Sequence, residues 1–454
     1  MTDKHITLIG AGLVGSLTAV FLAKRGFTVD VYERRPDMRK ENISAGRSIN
    51  LALANRGIHP LEKAGLMDDV WPMLTTMKGR MIHDKTGQCH LQPYGQRPEE
   101  VIYSVPRADL NKLCMTAAEQ HGNVTIHFNH KCNRVDFENN TVELEDTLTN
   151  TVFEKPFTRI IGTDGSASSV REAIHERTSS HNFVEPLGHG YKELTIPRGQ
   201  QNKFQIEEQA LHIWPRGGFM VIALPNKDGS FTVTLFMPNE GPVSFSEINN
   251  EQKLKDFFAQ EFPDALPLLP NLVEEYFENP TGNLATVRCK PWHYQDKAII
   301  IGDAAHAIVP FHGQGMNCGF EDAWELTQQI DQHGDEWIRI FSNTDSQRYT
   351  NGNAIADMAI ENYIEMRDSV NDPVFRLKKE LSFELEKRWP TLFIPRYSMV
   401  MFHRLPYSEA QARGKIQQEI LSQLVEDKTQ VEQVDFKLAE KLIHDKLSEF
   451  VFTH

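Results

Sequence analysis

The chain has 454 residues, 40% hydrophobic and 24% charged, ordinary values for a globular protein of two or three domains. Its 62 acidic residues outnumber 48 basic ones, and the formal net charge of −14 argues against nucleic acid as a partner. Five cysteines (Cys89, Cys114, Cys132, Cys289 and Cys318) show no C-x-x-C pairing and read as free thiols in a reducing cytoplasm. In chain order, the first element is the apolar run 6–9, predicted as a buried parallel strand. Gly10-Ala11-Gly12-Leu13-Val14-Gly15 follows at once. A helix is predicted over 13–24, with Leu13, Leu17, Val20 and Phe21 on one face, and a second strand over 28–32 ends in Glu33. Strand, glycine turn, helix and a later acid form the dinucleotide fingerprint. The glycines allow close approach to a pyrophosphate, the helix start offers N–H groups, and the carboxylate suits ribose hydroxyls. The uncharged stretch 6–23 is not read as a signal peptide, because its glycines are explained by this turn. The charged, amphipathic segment 425–454 is not read as a membrane helix.

Further along, Gly46 to Leu53 forms a dense segment leading into a helix that ends near Gly65. A helix is predicted over 108–121, with strands over 124–128, 141–144 and 159–162. The last runs into Gly162-Thr163-Asp164-Gly165. After about residue 185 the pattern changes to antiparallel segments at 210–214, 219–224 and 231–237, with a hairpin connection at 225–229. A buried strand returns over 297–301 and enters Gly302-Asp303-Ala304-Ala305-His306. Asp303 then lies at a strand C-terminus, where open α/β sheets place ligands. The glycine-rich run Pro310 to Asn317 opens a helix, and nearly everything from Gly319 onward reads helical. A helix over 355–371 places Asn362, Glu365, Met366 and Ser369 on one face. The predicted fold is α/β: a discontinuous Rossmann-like nucleotide domain (1–70, 100–180 and 290–335), an inserted antiparallel-sheet substrate domain (71–99 and 181–289), and a helical C-terminal region (336–454). No His/Cys cluster has metal-ligand spacing, so no metal is expected.

The three glycine motifs in this order resemble the FAD-dependent aromatic hydroxylases. More specific runs are similar to the kynurenine 3-monooxygenase branch of that family: Arg47 to Leu53, Gly79-Arg80-Met81-Ile82-His83, Gln92-Pro93-Tyr94-Gly95, His189 to Leu194, Leu211 to Pro215, Pro310 to Asn317, Asn362 to Asp368 and Ile394-Pro395-Arg396-Tyr397. The resemblance implies non-covalent FAD, with cofactor contacts at Gly10, Gly12, Val14, Gly15, Glu33, Arg34, Ala52, Arg107, Cys132, Asp164, Asp303, Gly315, Met316 and Asn317. It implies L-kynurenine as substrate, with Arg80 on the carboxylate, Tyr94 and Tyr397 as hydroxyl donors, Asn362 as a polar contact, and Phe311, His312, Glu365 and Met366 lining the pocket. NADPH and O₂ are the implied co-substrates, and 3-hydroxykynurenine forms through a flavin C4a-hydroperoxide. No catalytic side chain is assigned, because the cofactor carries the chemistry. The last 40 or so residues match nothing in that pattern and read as a pocket cover or an association surface, a homodimer included. Two alternatives stay open at this level: a flavin hydroxylase for another aromatic acid, and a non-catalytic flavin- or NAD-binding redox sensor.

Overall fold

The computed structural model describes residues 4–40, 50–179, 181–369 and 372–450. The expected segment 46–49 lies outside them. The chain divides into two compact units, one of Met1–Leu74, Val105–Leu187 and Leu284–Ala356, the other of Thr75–Ser104, Gly188–Asn283 and Asp357–His454.

The first unit is built on a parallel sheet. Its strands run in the order Val124–Phe128, Thr28–Glu33, His5–Ile9, Ile160–Gly162 and Ala298–Ile300, with the short antiparallel His293–Tyr294 at the edge. Register is fixed by pairs such as Thr7↔Asp30, Leu8↔Ile161 and Ile161↔Ile299. These strands are short continuous apolar runs because both faces are covered: Ile6, Leu8, Val31, Ile160, Ile161 and Ile299 are all fully buried. Helices Leu13–Lys24 and Arg107–Gln120 pack beside the sheet, and Gly315–His333 packs on Leu13–Lys24. A three-stranded antiparallel sheet, His130–Asp136, Thr141–Asp146 and Thr151–Pro156, shares the core through Cys132, Val135, Val142 and Leu144. Successive strands lie on either side of His5–Ile9, so the strand order reverses there. Such a reversal opens a crevice at the strand C-termini. All three glycine motifs reach that edge, because each follows the end of one of three adjacent strands.

The second unit contains the strands His181–Ile196 (its part from Gly188), Phe231–Pro238, Met220–Pro225, Ala210–Pro215, Gly79–His83 and Cys89–Pro93, in that order. All neighbouring pairs are antiparallel save one. Ala210–Pro215 runs parallel to Gly79–His83, with Leu211↔Arg80 and Ile213↔Ile82 in register. This departs from the purely antiparallel expectation. A segment from more than a hundred residues upstream is added at the sheet, and a parallel partner needs a long connection, not a hairpin. Phe258, Phe262, Trp214, Val221 and Leu235 form the core between the sheet and helix Glu251–Glu261. Helices Pro373–Arg388, Tyr407–Leu424 and Phe436–Lys446 bury Leu381, Leu385, Phe393, Ile420 and Ile443 together.

The expected continuous α-helix over 355–371 needs a correction. An α-helix runs from Trp337 to Ile364, and the chain then widens into a π-helix over Glu365–Ser369. The wider turn changes the angle between residues before and after it, so Asn362, Glu365 and Met366 no longer follow α-helical spacing. Single π turns inside helices recur at functional sites. The Ser369 side chain lies outside the described set.

Candidate active site

Two clusters concern function, and each belongs to one unit. In the first, the nucleotide turn explains its glycines individually. Gly10 has φ +98°, and a Cβ there would come within 2.6 Å of the Thr163 carbonyl. A Cβ at Gly15 would collide with the Gly10 carbonyl, whereas one at Gly12 would meet no protein atom within 4 Å. Gly12 therefore fronts open space, as a ligand approach requires. The helix Leu13–Lys24 starts there with no side-chain cap, so its first N–H groups remain on offer. Val14 has a packing role: a Cβ at Gly302 or Gly319 would run into its methyl groups.

Glu33 is buried and its carboxylate is already organised. Oε2 accepts the Ala11 N–H at 2.8 Å, and Oε1 accepts the Arg35 backbone N–H at 3.0 Å and the Arg35 guanidinium at 2.8 Å. Burial opposes the charge, but Arg35 outweighs it and holds the carboxyl below its ordinary range. Arg35 is thus the partner of this acid, while Arg34 is exposed. Nothing in the sequence distinguishes these adjacent arginines. Asn111 carries no sequence signal either: its amide donates to the Ala11 carbonyl at 3.2 Å and braces the turn from helix Arg107–Gln120.

Asp164 turns one oxygen to the Ser169 N–H at 2.8 Å, capping the helix Ser169–Glu176 together with Ser168. Its other oxygen is buried without a hydrogen-bond partner, and burial raises its carboxyl. Asp303 is exposed to solvent, yet surrounding protein still raises its carboxyl, against the pull of His306 and Arg107. It lies just past the C-terminal end of strand Ala298–Ile300, where the reversal of strand order opens a crevice, with no hydrogen bond to any described residue. Arg107 is exposed and near enough to act on Asp303 by charge. Asn317 ties the cleft together. Its amide donates to the Ala52 carbonyl (2.8 Å) and the Gly313 carbonyl (2.7 Å), and its oxygen accepts the Ala54 N–H (2.9 Å). With both amide hydrogens used, what Asn317 offers a ligand is its backbone N–H, alongside those of Gly315 and Met316 at an uncapped helix start. The Cys132 side chain is buried in the core, so only its backbone is available for contact. Phe311 and His312 sit buried in the turn Pro310–His312.

The second cluster surrounds Arg80, which is 4% exposed. Its Nη1 reaches Glu365 at 3.3 Å and its Nη2 reaches Asn362 at 3.2 Å, while its Nε is buried with no partner. The guanidinium lies 5.0 Å from the Tyr397 ring centroid and 5.9 Å from that of Tyr94. The two tyrosine rings stack at 5.3 Å. Burial pushes the Tyr397 phenol up to about 12 and the Tyr94 phenol well above its usual value, so both stay protonated donors. Asn362 also donates toward Met366 Sδ at 3.2 Å across the π turn. The structure thus brings together Arg80, Tyr94, Asn362, Glu365, Met366 and Tyr397. Lys379 is an addition that the sequence does not signal. Burial and Arg80 pull its amine down to about 8, and it approaches Gln92, the cross-strand neighbour of Arg80.

Residues 3–337 match the family model for the FAD binding domain. The chain is 47% identical to kynurenine 3-monooxygenase of Myxococcus xanthus over 449 residues, covering 99% of this chain and 97% of the relative. It is 46% identical to that of Xanthomonas axonopodis pv. citri, covering 100% and 99%. The chain belongs to the kynurenine 3-monooxygenase family.

As a member of that family it is a flavoprotein, and the cleft fits FAD: a glycine with open space in front, two uncapped helix starts and an unpartnered carboxylate. Among solved structures, 2-methyl-3-hydroxypyridine-5-carboxylic acid oxygenase superposes with TM-score 0.65 at 20% identity, covering 85% of this chain and 98% of that one. p-Nitrophenol 4-monooxygenase from Pseudomonas putida gives 0.63 at 17%, covering 92% and 96%. Both show the shared fold. Among the described residues of this kynurenine 3-monooxygenase family member, no helix is long and apolar enough to cross a membrane.

Proposed function

We propose that the protein hydroxylates L-kynurenine to 3-hydroxykynurenine, consuming NADPH and O₂. The carrying observation is Arg80, a buried guanidinium with an unpartnered Nε and, among the described residues, a single carboxylate in reach, that of Glu365 at 3.3 Å. A buried cation so poorly compensated suits an anionic ligand group, and the planar fork matches a carboxylate. Glu365 beside it suits the ammonium of an amino acid. Tyr94 and Tyr397 offer protonated hydroxyls and aromatic walls that exclude water, and Asn362 adds a polar contact. Met366 lines the aromatic end of the substrate. Bound FAD supplies the redox chemistry, accepting reducing equivalents from NADPH and activating O₂. The protein holds that cofactor through Glu33, Asp164, Asp303 and the backbone N–H groups at Gly12, Gly315, Met316 and Asn317. The five thiols are free, in keeping with action in the cytoplasm.

The test is product analysis of the purified holoenzyme with NADPH and air. 3-Hydroxykynurenine, formed in proportion to NADPH consumed, is expected. NADPH consumption stimulated only by a different aromatic acid would overturn the substrate. FAD binding with no turnover on any aromatic acid would favour a redox sensor.

A further inference from the structure

Behind Asp303 lies a buried charged network that the proposed reaction does not use. His306, Cys318 and Asp322 present ligand atoms within 4.8 Å of one another, the spacing of a metal site. An arginine already answers that charge. Arg348 Nε donates to Asp322 Oδ1 at 2.7 Å, its Nη2 lies 3.3 Å from Cys318 Sγ, and its Nη1 donates to Glu321 at 3.0 Å. Arg56 completes the set, donating to Glu321 at 2.7 Å.

The other oxygen of Asp322 does something more specific. Oδ2 accepts the Gly302 backbone N–H at 2.9 Å and also the Nε2–H of His306. Asp322 is fully buried, on helix Gly315–His333. Gly302 has φ +62° and ψ −145°, a conformation that L side chains rarely adopt, and it directly precedes Asp303. A glycine in that state is a permissive joint, and the Asp303 carboxylate has no hydrogen bond to any described residue to fix it. His306 closes the same short helix, Asp303–His306. It is held on its other faces by the stacked Trp292 ring, at 5.1 Å, and by Gly352, where a Cβ would come within 3.2 Å of the imidazole. One carboxylate oxygen therefore grips both ends of the segment that carries Asp303.

We propose that Asp322 and His306 are positioning residues: together they clamp Gly302 and the helix after it, and so aim the Asp303 carboxylate at the flavin. The clamp rests on Asp303 being a flavin contact, and the experiment separates the two claims. The dissociation constant for FAD is measured on reconstituted apoprotein, with the flavin midpoint potential, for Asp303→Ala, His306→Ala, His306→Gln and the Asp303→Ala/His306→Ala double variant. His306→Gln keeps an amide donor near the Nε2 position. Asp303→Ala should weaken FAD about tenfold, ~1.4 kcal/mol, and binding unchanged from wild type would remove Asp303 from the site. His306→Ala should weaken FAD by a similar factor and shift the potential, and His306→Gln should restore both. In the Asp303→Ala background, His306→Ala should have no further effect, since the clamp acts only through Asp303. Additive losses, an unshifted potential, or a His306→Gln variant no better than His306→Ala would each overturn the clamp. Asp322→Asn removes the shared carboxylate itself and, where it folds, should weaken FAD as His306→Ala does. Because that change strands Arg348 in the interior and threatens folding, the His306 series alone is sufficient to decide the clamp.

Discussion

Arg80 and Glu33 are both buried charged side chains, but their surroundings differ. Both Glu33 oxygens already accept hydrogen bonds, from Ala11 and Arg35, so it is fixed before any ligand arrives. Glu33→Ala removes the anchor of the nucleotide turn as well as the proposed ribose contact. It should weaken FAD by ~1–3 kcal/mol, the worth of hydrogen bonds to a charged group. Flavin retained on gel filtration as well as in wild type would refute this. Arg80 instead keeps a donor in reserve. Arg80→Lys preserves charge but offers a point ammonium in place of a fork. Affinity for kynurenine, measured by titration, should fall by ~1–3 kcal/mol with FAD content unchanged. An unaltered affinity would remove Arg80 from the substrate site.

Between secondary-structure elements, charge acts as a tie across the parallel sheet. Asp30, on strand Thr28–Glu33, accepts His5 Nε2 from one neighbouring strand and His127 Nε2 from the other, both at 2.8 Å. The His127 hydrogen bond is the main reason its carboxyl falls from 3.8 to about 2. A depressed folded-state value means that the stabilisation is present above pH ~4 and lost as the pH falls toward 2. Asp30→Asn should therefore melt below wild type at pH 6, and the two curves should converge near pH 2. A Tm gap that persists there would contradict the assignment. Local elements of this kind were legible in the sequence. The strand over 28–32, the helix over 13–24 and the glycine motifs depend on short-range pattern, and they recur with boundaries shifted by a residue or two. Long-range pairing was not legible. Nothing near Gly79 or Ala210 announces that those strands run parallel, and no residue between Ile364 and Ser369 marks the π turn. The site followed the same division. Asp303 and Asp164 stand in motifs, whereas Asn111, Arg35, Lys379 and Asp322 gain their roles from partners remote or ambiguous in sequence.

For the molecule as a whole, the proposed flavin residues fall in one compact unit, and the Arg80 cluster proposed to hold the substrate falls in the other. Hydroxylation needs both sets in one event, and reducing the flavin without substrate would waste NADPH. Flavin reduction by NADPH should be slow alone and rise steeply with kynurenine, provided that kynurenine binds two states of the enzyme unequally. Tyr397→Phe should lose part of that stimulation while retaining FAD. Anaerobic stopped-flow absorbance measures this, and equal rates with and without kynurenine would end the gating idea. The order of strands has a different consequence, for synthesis on the ribosome. The edge of strand Ile160–Gly162 that will receive Ala298–Ile300 is made well over a hundred residues before its partner. At ~5–20 residues per second, the nascent sheet must wait on the order of ten seconds with an apolar strand edge unpaired. Such an edge is a template for pairing with other chains, so newly made protein should depend on chaperones more heavily than the finished enzyme does. Slowing translation between codons 163 and 297 should raise the fraction found in aggregates.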